Sequence, residues 1–419
     1  MAASGIKRLI KRGRRVYDRG GHAPEEVKQK LNLLWFILAA VICALAVFFI
    51  IMNGIRTNRA LAEKWSKGLA RVYELVVGHI TSPIPVSVFE LLIVFLIIVA
   101  VYLYIRLVIN IKNGAFRRIV TGVLSVGVAV MYVLNVYMLS MGFGYYRTTV
   151  PLNQAGADYD AAQAKAVALY FLDDFNGLIE KFDRDENGCV ISPYTFDELG
   201  ELMKDEYVRV NDEVGGDFLF DYTPKAKKVV NSFFMSDFFI TGITFLPTGE
   251  ANVNVDVPPT TIPFTMAHEL AHTKGVQREG DANLIAQYLL LSSPDDYLRY
   301  CGYYETFSNL QSAVRLAGDK DGYKEIRAAV NKKISPEYAF ESEYWASQVD
   351  IIGQIGDLFN DIYLKLNGAS NGTGSYGDGS QSSQTTTVNP DTGDEEIKPV
   401  YSKIQKIYFY LYEQKSGAL

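Results

Sequence analysis

The chain has 419 residues, room for two or three ordinary domains, and a formal net charge of -6. The charge is uneven: residues 1 to 30 hold nine basic side chains against Asp18, Glu25 and Glu26, or +6, which leaves -12 for the remainder. So acidic a remainder argues against nucleic acid as a partner, because phosphate binding needs a basic surface.

Residues 1–32 read as a basic cytoplasmic segment, its positive side chains suited to anionic lipid headgroups. Three long apolar runs follow, at residues 33–52, 86–109 and 119–142, each long enough to cross a hydrocarbon core of about 30 Å as a helix. The first is longer than the apolar core of a signal peptide and is expected to be retained, making residues 33–142 a three-helix anchor in the lipid bilayer. Lys112, Arg117 and Arg118 crowd the connection between the second and third runs, and with the basic N-terminus they should face the cytoplasm. Arg56, Arg59, Lys64, Lys67 and Arg71 between the first two runs go against this pattern, but the N-terminal charge outweighs them. An odd number of spans then places everything after about Gly144 outside the cytoplasmic membrane.

Beyond the spans, helical periodicity covers residues 158–182 and 196–214, separated by "DRDENGCV". Asp183, Asp185, Asn187 and Gly188 mimic the opening of a calcium loop, but the twelfth position is Tyr194 instead of a bidentate Glu, which favours a polar turn. Residues 238–256 alternate apolar and polar side chains on either side of "PTGE", predicting a hairpin. Pro263 then suits the first turn of a helix reaching Lys274, with Gly275 as its cap. A second helix is expected from near Arg278, a third from Pro294, and a long aromatic-rich helical stretch from Pro336 to Leu366. Residues 367–398 are poor in apolar side chains and read as a flexible polar insertion, and residues 399–419 as a helix that docks back on the domain, with a membrane-surface helix as the alternative. Cys43 lies in the first span, whereas Cys189 and Cys301 would both be outside and free to pair.

Two of the four histidines fall in "FTMAHELAHTKGVQREGDAN". On a helix His268 and His272 lie one turn apart on one face, where both can direct a ring nitrogen at a single zinc ion, with Glu269 beside them to take a proton from water. The bland alternative is a buried helix, a poor place for unpaired imidazoles. A catalytic zinc site needs a third protein ligand. Extension of the motif through Gly275 would need a ligand at Arg278, which cannot bind zinc. In "EGDAN", Glu279 and Asn283 share a helical face, so Glu279 is the favoured ligand and Asn283 its supporting hydrogen-bond partner toward a histidine, with Asp281 as the rival ligand. For stabilising an oxyanion, tyrosines such as Tyr303, Tyr304 and Tyr344 are the available side chains, each better read as core or surface aromatic.

The combination of three N-terminal spans with "GYYRTT", "LPTGEANVN", "HELAHTKGVQREGDANLIAQYL" and "NDIYLKLNG" resembles a family of bacterial membrane proteins catalogued only as a domain of unknown function and regarded as candidate zinc metallopeptidases. The resemblance covers most of the chain apart from the polar insertion. More distantly the motif is similar to the gluzincins. That similarity implies zinc held by His268, His272 and Glu279, Glu269 as general base, and a strand within residues 243–254 that aligns a substrate backbone. The six residues between His272 and Glu279 are fewer than in most gluzincins.

The expected architecture is therefore a membrane anchor followed by a mainly helical, zincin-like α+β extracytoplasmic domain over residues 143–366, with a small antiparallel sheet beside the motif helix. The expected activity is zinc-dependent hydrolysis of a peptide or protein substrate. A different class remains open, a non-catalytic envelope scaffold stabilised by zinc, which would have no need of Glu269. A transporter or channel is disfavoured because no charged residue lies near mid-span.

Overall fold

The computed structural model describes residues 25–214, 217–348, 351–388 and 395–417. Most of the basic N-terminal segment lies outside the described residues. The chain divides into two compact units, one of residues up to Ile55 together with 93–138, the other of residues 56–92 together with 139–419.

The first unit is built from helix α1 (Glu25–Ile55), most of a second long helix (Val88–Lys112) and a third (Phe116–Tyr137). Three stretches, Asn32–Ile55, Val88–Lys112 and Phe116–Tyr146, are long and apolar enough to cross a membrane. Two polar side chains donate between helices or within a turn: Trp35 Nε1 to Thr121 Oγ1 at 2.8 Å, and Asn135 Nδ2 to the Leu45 and Met131 carbonyls at 3.2 and 2.7 Å. Such pairing is required wherever water cannot serve.

The second unit takes in the connection between the first two apolar helices, which the sequence shows only as a loop. It holds helices α2 (Arg59–Trp65) and α3 (Arg71–Thr81), with Val88–Lys112 following as α4 and Phe116–Tyr137 as α5. Two of its basic residues are engaged by acidic side chains of the same unit: Lys67 and Arg71 pair with Asp217 at 3.1 and 3.3 Å, and Arg71 also with Asp221.

Helices α6 (Ala161–Lys181) and α7 (Phe196–Glu213) both start on capping boxes, Asp160 with Gln163 and Thr195 with Glu198. Between them Asp185 accepts from the Asn187 and Cys189 amides, both at 2.9 Å, so this carboxylate organises a turn; Arg184 pairs with the buried Glu337 at 2.7 Å. Cys189 and Cys301 are buried free thiols.

The hairpin expected at 238–256 is present as β2 (Gly242–Phe245) and β3 (Glu250–Val253), antiparallel, with Gly242 opposite Val253. The sheet is mixed and not purely antiparallel: the two-residue strand β1 (Lys227–Lys228) pairs parallel to β3, giving the order β1-β3-β2. A two-residue strand carries no alternation to read. After helix α8 (Ser232–Asp237) and the sheet come α9 (Thr261–Thr273), α10 (Glu279–Ser292) and α11 (Asp296–Leu316), then α12 (Lys320–Ala329), α13 (Ser335–Ser347) and α14 (Ile351–Leu366). Helix α10 is buried on nearly every side and forms the centre of the core with Phe171, Phe175, Tyr303 and Tyr408.

The segment expected to be a flexible insertion carries regular structure in its described residues: a 3-10 turn at Gly372–Gly377 and strand β4 (Ser383–Val388), paired antiparallel with β5 (Glu395–Val400). The turn is held by Asn283 and Asp361, distant in sequence, which composition does not reveal, and the two strands pair with each other. The C-terminal helix α15 (Lys403–Ser416) docks on the core through Ile404, Ile407, Tyr408, Phe409 and Leu411, all buried.

Candidate metal centre

Helix α9 follows the Pro258–Pro259 break, places Pro263 in its first turn and ends in a Schellman motif. The Val276 amide donates to the Ala271 carbonyl at 3.2 Å and the Gly275 amide to the His272 carbonyl at 3.0 Å. Gly275 takes φ +86°, and a Cβ there would stand 2.5 Å from the Phe220 ring. The buried Arg147, from the "GYYRTT" stretch, fixes this turn by donating to the Gly275 carbonyl at 2.8 Å and the Phe218 carbonyl at 2.9 Å. The reversal is tight enough to bring Glu279, the first residue of α10, back to the histidines despite the short gap.

His268, His272 and Glu279 form a buried group whose ligand atoms all lie within 4.8 Å of one another and could hold a metal ion. His272 Nε2 is 3.0 Å from His268 Nε2, and Glu279 Oε2 is 3.2 Å from His268 Nε2 and 3.4 Å from His272 Nε2. His272 Nδ1 lies 2.6 Å from the Val276 carbonyl, which can only accept, so Nδ1 carries a proton and Nε2 is the nitrogen turned toward the group. Gln277 Nε2 donates to the His272 carbonyl at 2.9 Å and steadies the same turn.

Electrostatics bind the three together. Burial disfavours a charged His272, but Glu279 more than offsets this and takes its pKa up to about 9. Burial likewise works against a charged Glu279, and the two histidines overcome it, taking its pKa down to about 2. Glu269 is raised by burial against the partial relief of both histidines and Thr244.

Glu269 is held from the sheet. Thr244 Oγ1 on β2 lies 2.7 Å from both the Glu269 carbonyl and its Oε2, and a Cβ on Gly242 would stand 2.6 Å from Glu269 Oε1. Glycine at 242 is thus what lets strand and helix approach this closely. Strand β2 pairs only with β3 among the described residues, leaving it as an outer strand beside the motif helix.

The structure brings together His268, Glu269, His272 and Glu279, and turns Asp281 elsewhere. Asp281 pairs with Arg278 at 2.6 Å and faces Lys403 at 3.8 Å. Asn283 departs from expectation: its side-chain amide donates to the Tyr376 carbonyl at 2.8 Å and not to a histidine, and His268 Nδ1 has no hydrogen-bond partner among the described residues. The reason is the Gly372–Gly377 turn, whose Tyr376 carbonyl takes the amide. That turn supplies a residue absent from the sequence reading. The Tyr376 ring stacks on His268, centroids 6.3 Å apart at 29°, and burial followed by the Glu279 charge raises the pKa of its hydroxyl. Tyr303, Tyr304 and Tyr344 are engaged elsewhere, with Asp174, Glu341 and the Asp256 carbonyl respectively. The polar residues Asn360 and Asp361 of "NDIYLKLNG" are the signal that could have led to Tyr376: Asn360 Nδ2 lies 3.5 Å from its hydroxyl, and Asp361 accepts from the Thr373 amide at 3.2 Å.

No curated protein and no solved structure matches the chain. One family model does, over residues 65–379, a range that includes the turn at Tyr376 as well as the motif, the sheet and α14. Since that range is more than half of the 419 residues, the chain belongs to the family described as "Protein of unknown function (DUF3810)".

Proposed function

We propose that this chain is a membrane-anchored, zinc-dependent metallopeptidase that hydrolyses peptide bonds outside the cytoplasmic membrane. The observation that carries the reading is the triangle of His268 Nε2, His272 Nε2 and Glu279 Oε2, with sides of 3.0, 3.2 and 3.4 Å. Ligands arranged tetrahedrally at about 2.0–2.1 Å from zinc are separated by about 3.3 Å, so the donor set fits that ion and leaves a fourth position for a non-protein ligand.

Zinc, when bound, supplies Lewis acidity and lowers the pKa of water to near neutrality. The chain's own residues account for the rest. Glu269, its pKa raised by burial, accepts a proton from the attacking water and returns it to the departing amine. The Tyr376 hydroxyl is the donor offered to the developing oxyanion. The outer strand β2 presents backbone groups to an extended peptide, the mode of recognition by strand addition.

The location is supported by chain topology. Residues 56–87 and 147–419 fall within one compact unit, as a shared side of the bilayer requires. The basic N-terminus and Lys112, Arg117 and Arg118 belong to the opposite side, which the positive-inside rule makes cytoplasmic. The basic residues that run against the rule include Lys67 and Arg71, both paired with acidic side chains of the outer unit. The reading is tested by incubating the full-length protein and its Glu269→Gln variant with a peptide library. Cleavage by the parent and none by the metal-loaded variant is expected; equal cleavage by both contradicts it.

A further inference from the structure

Helix α14 carries Ile355, Leu358, Phe359, Ile362 and Leu366 along one face, all exposed, with Phe359 and Leu366 at 69% and 72%. Their spacing of three, one, three and four residues is that of a single helical stripe. The opposite face packs on the unit: Leu364 is fully buried, and Cβ atoms on Gly353 and Gly356 would stand 2.2 Å from the Phe239 ring and 3.0 Å from the Phe238 carbonyl. The stripe is thus a real surface of a docked helix and not the exposed side of a frayed one.

Both ends of this helix are tied to residues beside the apolar spans. At its C-terminus, Arg56, the residue immediately after the first span, donates to the Leu366 carbonyl at 3.0 Å and to Asn367 Oδ1 at 3.1 Å. Tyr145, within the last turn of the third span, meets the Tyr363 hydroxyl at 3.0 Å. Its N-terminal half rests on Phe238 and Phe239, and the segment leading to them is held at the start of the second span, where Glu90 accepts from the Val230 and Asn231 amides at 2.9 and 3.0 Å. Val230, Phe233 and Phe234 in that segment are also exposed, at 73%, 53% and 55%. The helix is thus tied directly at its C-terminal end, and through Phe238 and Phe239 at the other, to residues where the apolar spans begin or end, as a helix lying along a bilayer surface requires.

We propose that α14, with the Val230–Phe234 corner, is an interfacial membrane helix whose apolar stripe is covered by lipid at the boundary between headgroups and acyl chains. Water is a poor partner for so continuous a stripe, and interfacial helices have this distribution of large apolar side chains. The polar side of the same helix holds the Tyr376 turn through Asn360 and Asp361, so the lipid-facing stripe and the candidate site are linked by one element.

The inference rests on the membrane-anchored part of the proposed function, and the test separates the two. In full-length protein carrying Cys43→Ser and reconstituted in lipid nanodiscs, a nitroxide is attached at Phe359→Cys, Leu366→Cys, Phe95→Cys in the second span, or Asp321→Cys on the remote helix α12. Cys189 and Cys301 are buried and stay unlabelled. Collision with oxygen, which partitions into lipid, is compared with collision with a water-soluble nickel chelate, and circular dichroism checks that each variant is folded. An oxygen-to-nickel ratio severalfold higher at Phe359→Cys and Leu366→Cys than at Asp321→Cys is expected. Ratios equal to that of Asp321→Cys, with Phe95→Cys reading as lipid, overturn the interfacial helix and leave the anchor standing. A water-like ratio at Phe95→Cys as well overturns both. Neither readout depends on metal or hydrolysis.

Discussion

Thr244 Oγ1 stands 2.7 Å from two oxygens of Glu269, its backbone carbonyl and its Oε2, and has one proton to share between them. When Glu269 is charged, the hydroxyl proton serves the carboxylate. When Glu269 holds a proton, the carboxyl can donate to Thr244, whose own proton then goes to the carbonyl. Thr244 can therefore support both protonation states that a general base passes through.

Thr244→Val removes that support while keeping the shape of the side chain. Peptide hydrolysis should fall on the order of 10-fold to 100-fold, part of the roughly 10²–10⁴ that positioned acid–base catalysis contributes. Metal content should be unchanged, and Thr244→Ser should restore most of the rate. Gly242→Ala should be more damaging, because its methyl group meets both Glu269 Oε1 at 2.6 Å and Thr265 Cγ2 at 2.7 Å. Parallel measurement of kcat and bound metal checks both; loss of metal in Thr244→Val would show that the residue serves the fold instead.

Tyr376→Phe keeps the ring over His268 and deletes the hydroxyl. If that hydroxyl stabilises the oxyanion, kcat should fall on the order of 10²–10³-fold with little change in KM. Asn283→Ala, which frees the Tyr376 backbone, should give a smaller loss in the same parameter. An unaltered kcat in Tyr376→Phe would remove it from the chemistry.

The parts legible in the sequence were those with local signals. Pro263 and Gly275 bracket α9, the alternation around "PTGE" marks the hairpin, and the i to i+4 spacing puts His268 and His272 together. What escaped depends on distant partners. The connection after the first span reads as a loop because its place in the second unit rests on contacts such as Tyr73 and Thr81 donating to the Pro247 and Thr248 carbonyls, 2.9 and 2.8 Å, across more than 150 residues. Tyr376 sits in a glycine- and serine-rich stretch with little intrinsic order, and its turn is held by Asn283, Asn360 and Asp361 from two other helices.

The metal-free protein should show a distinctive pH profile. His272 has a folded pKa of about 9 against an ordinary 6.5, so its contribution to stability is complete below about 6.5 and is lost as the pH rises through 9. Glu279, at about 2 against an ordinary 4.5, contributes above 4.5 and loses that contribution as the pH falls through 2. With a chelator present, thermal stability should be highest between about pH 4.5 and 6.5 and decline toward pH 9. Added zinc competes with the His272 proton, so the gain in Tm on adding zinc should grow over the same rise. A zinc-induced gain that shrinks as the pH rises from 6.5 to 9 would contradict the assignment of His272 as a ligand.

Metal content is the measurement closest to the three-ligand site. The full-length protein, Glu279→Ala and Asp281→Ala are each purified, equilibrated with limiting zinc and assayed by inductively coupled plasma mass spectrometry. About one zinc per chain is expected in the parent and in Asp281→Ala, and its loss in Glu279→Ala. A folded parent protein that retains no zinc, or a Glu279→Ala variant that binds it as well as the parent, would contradict it.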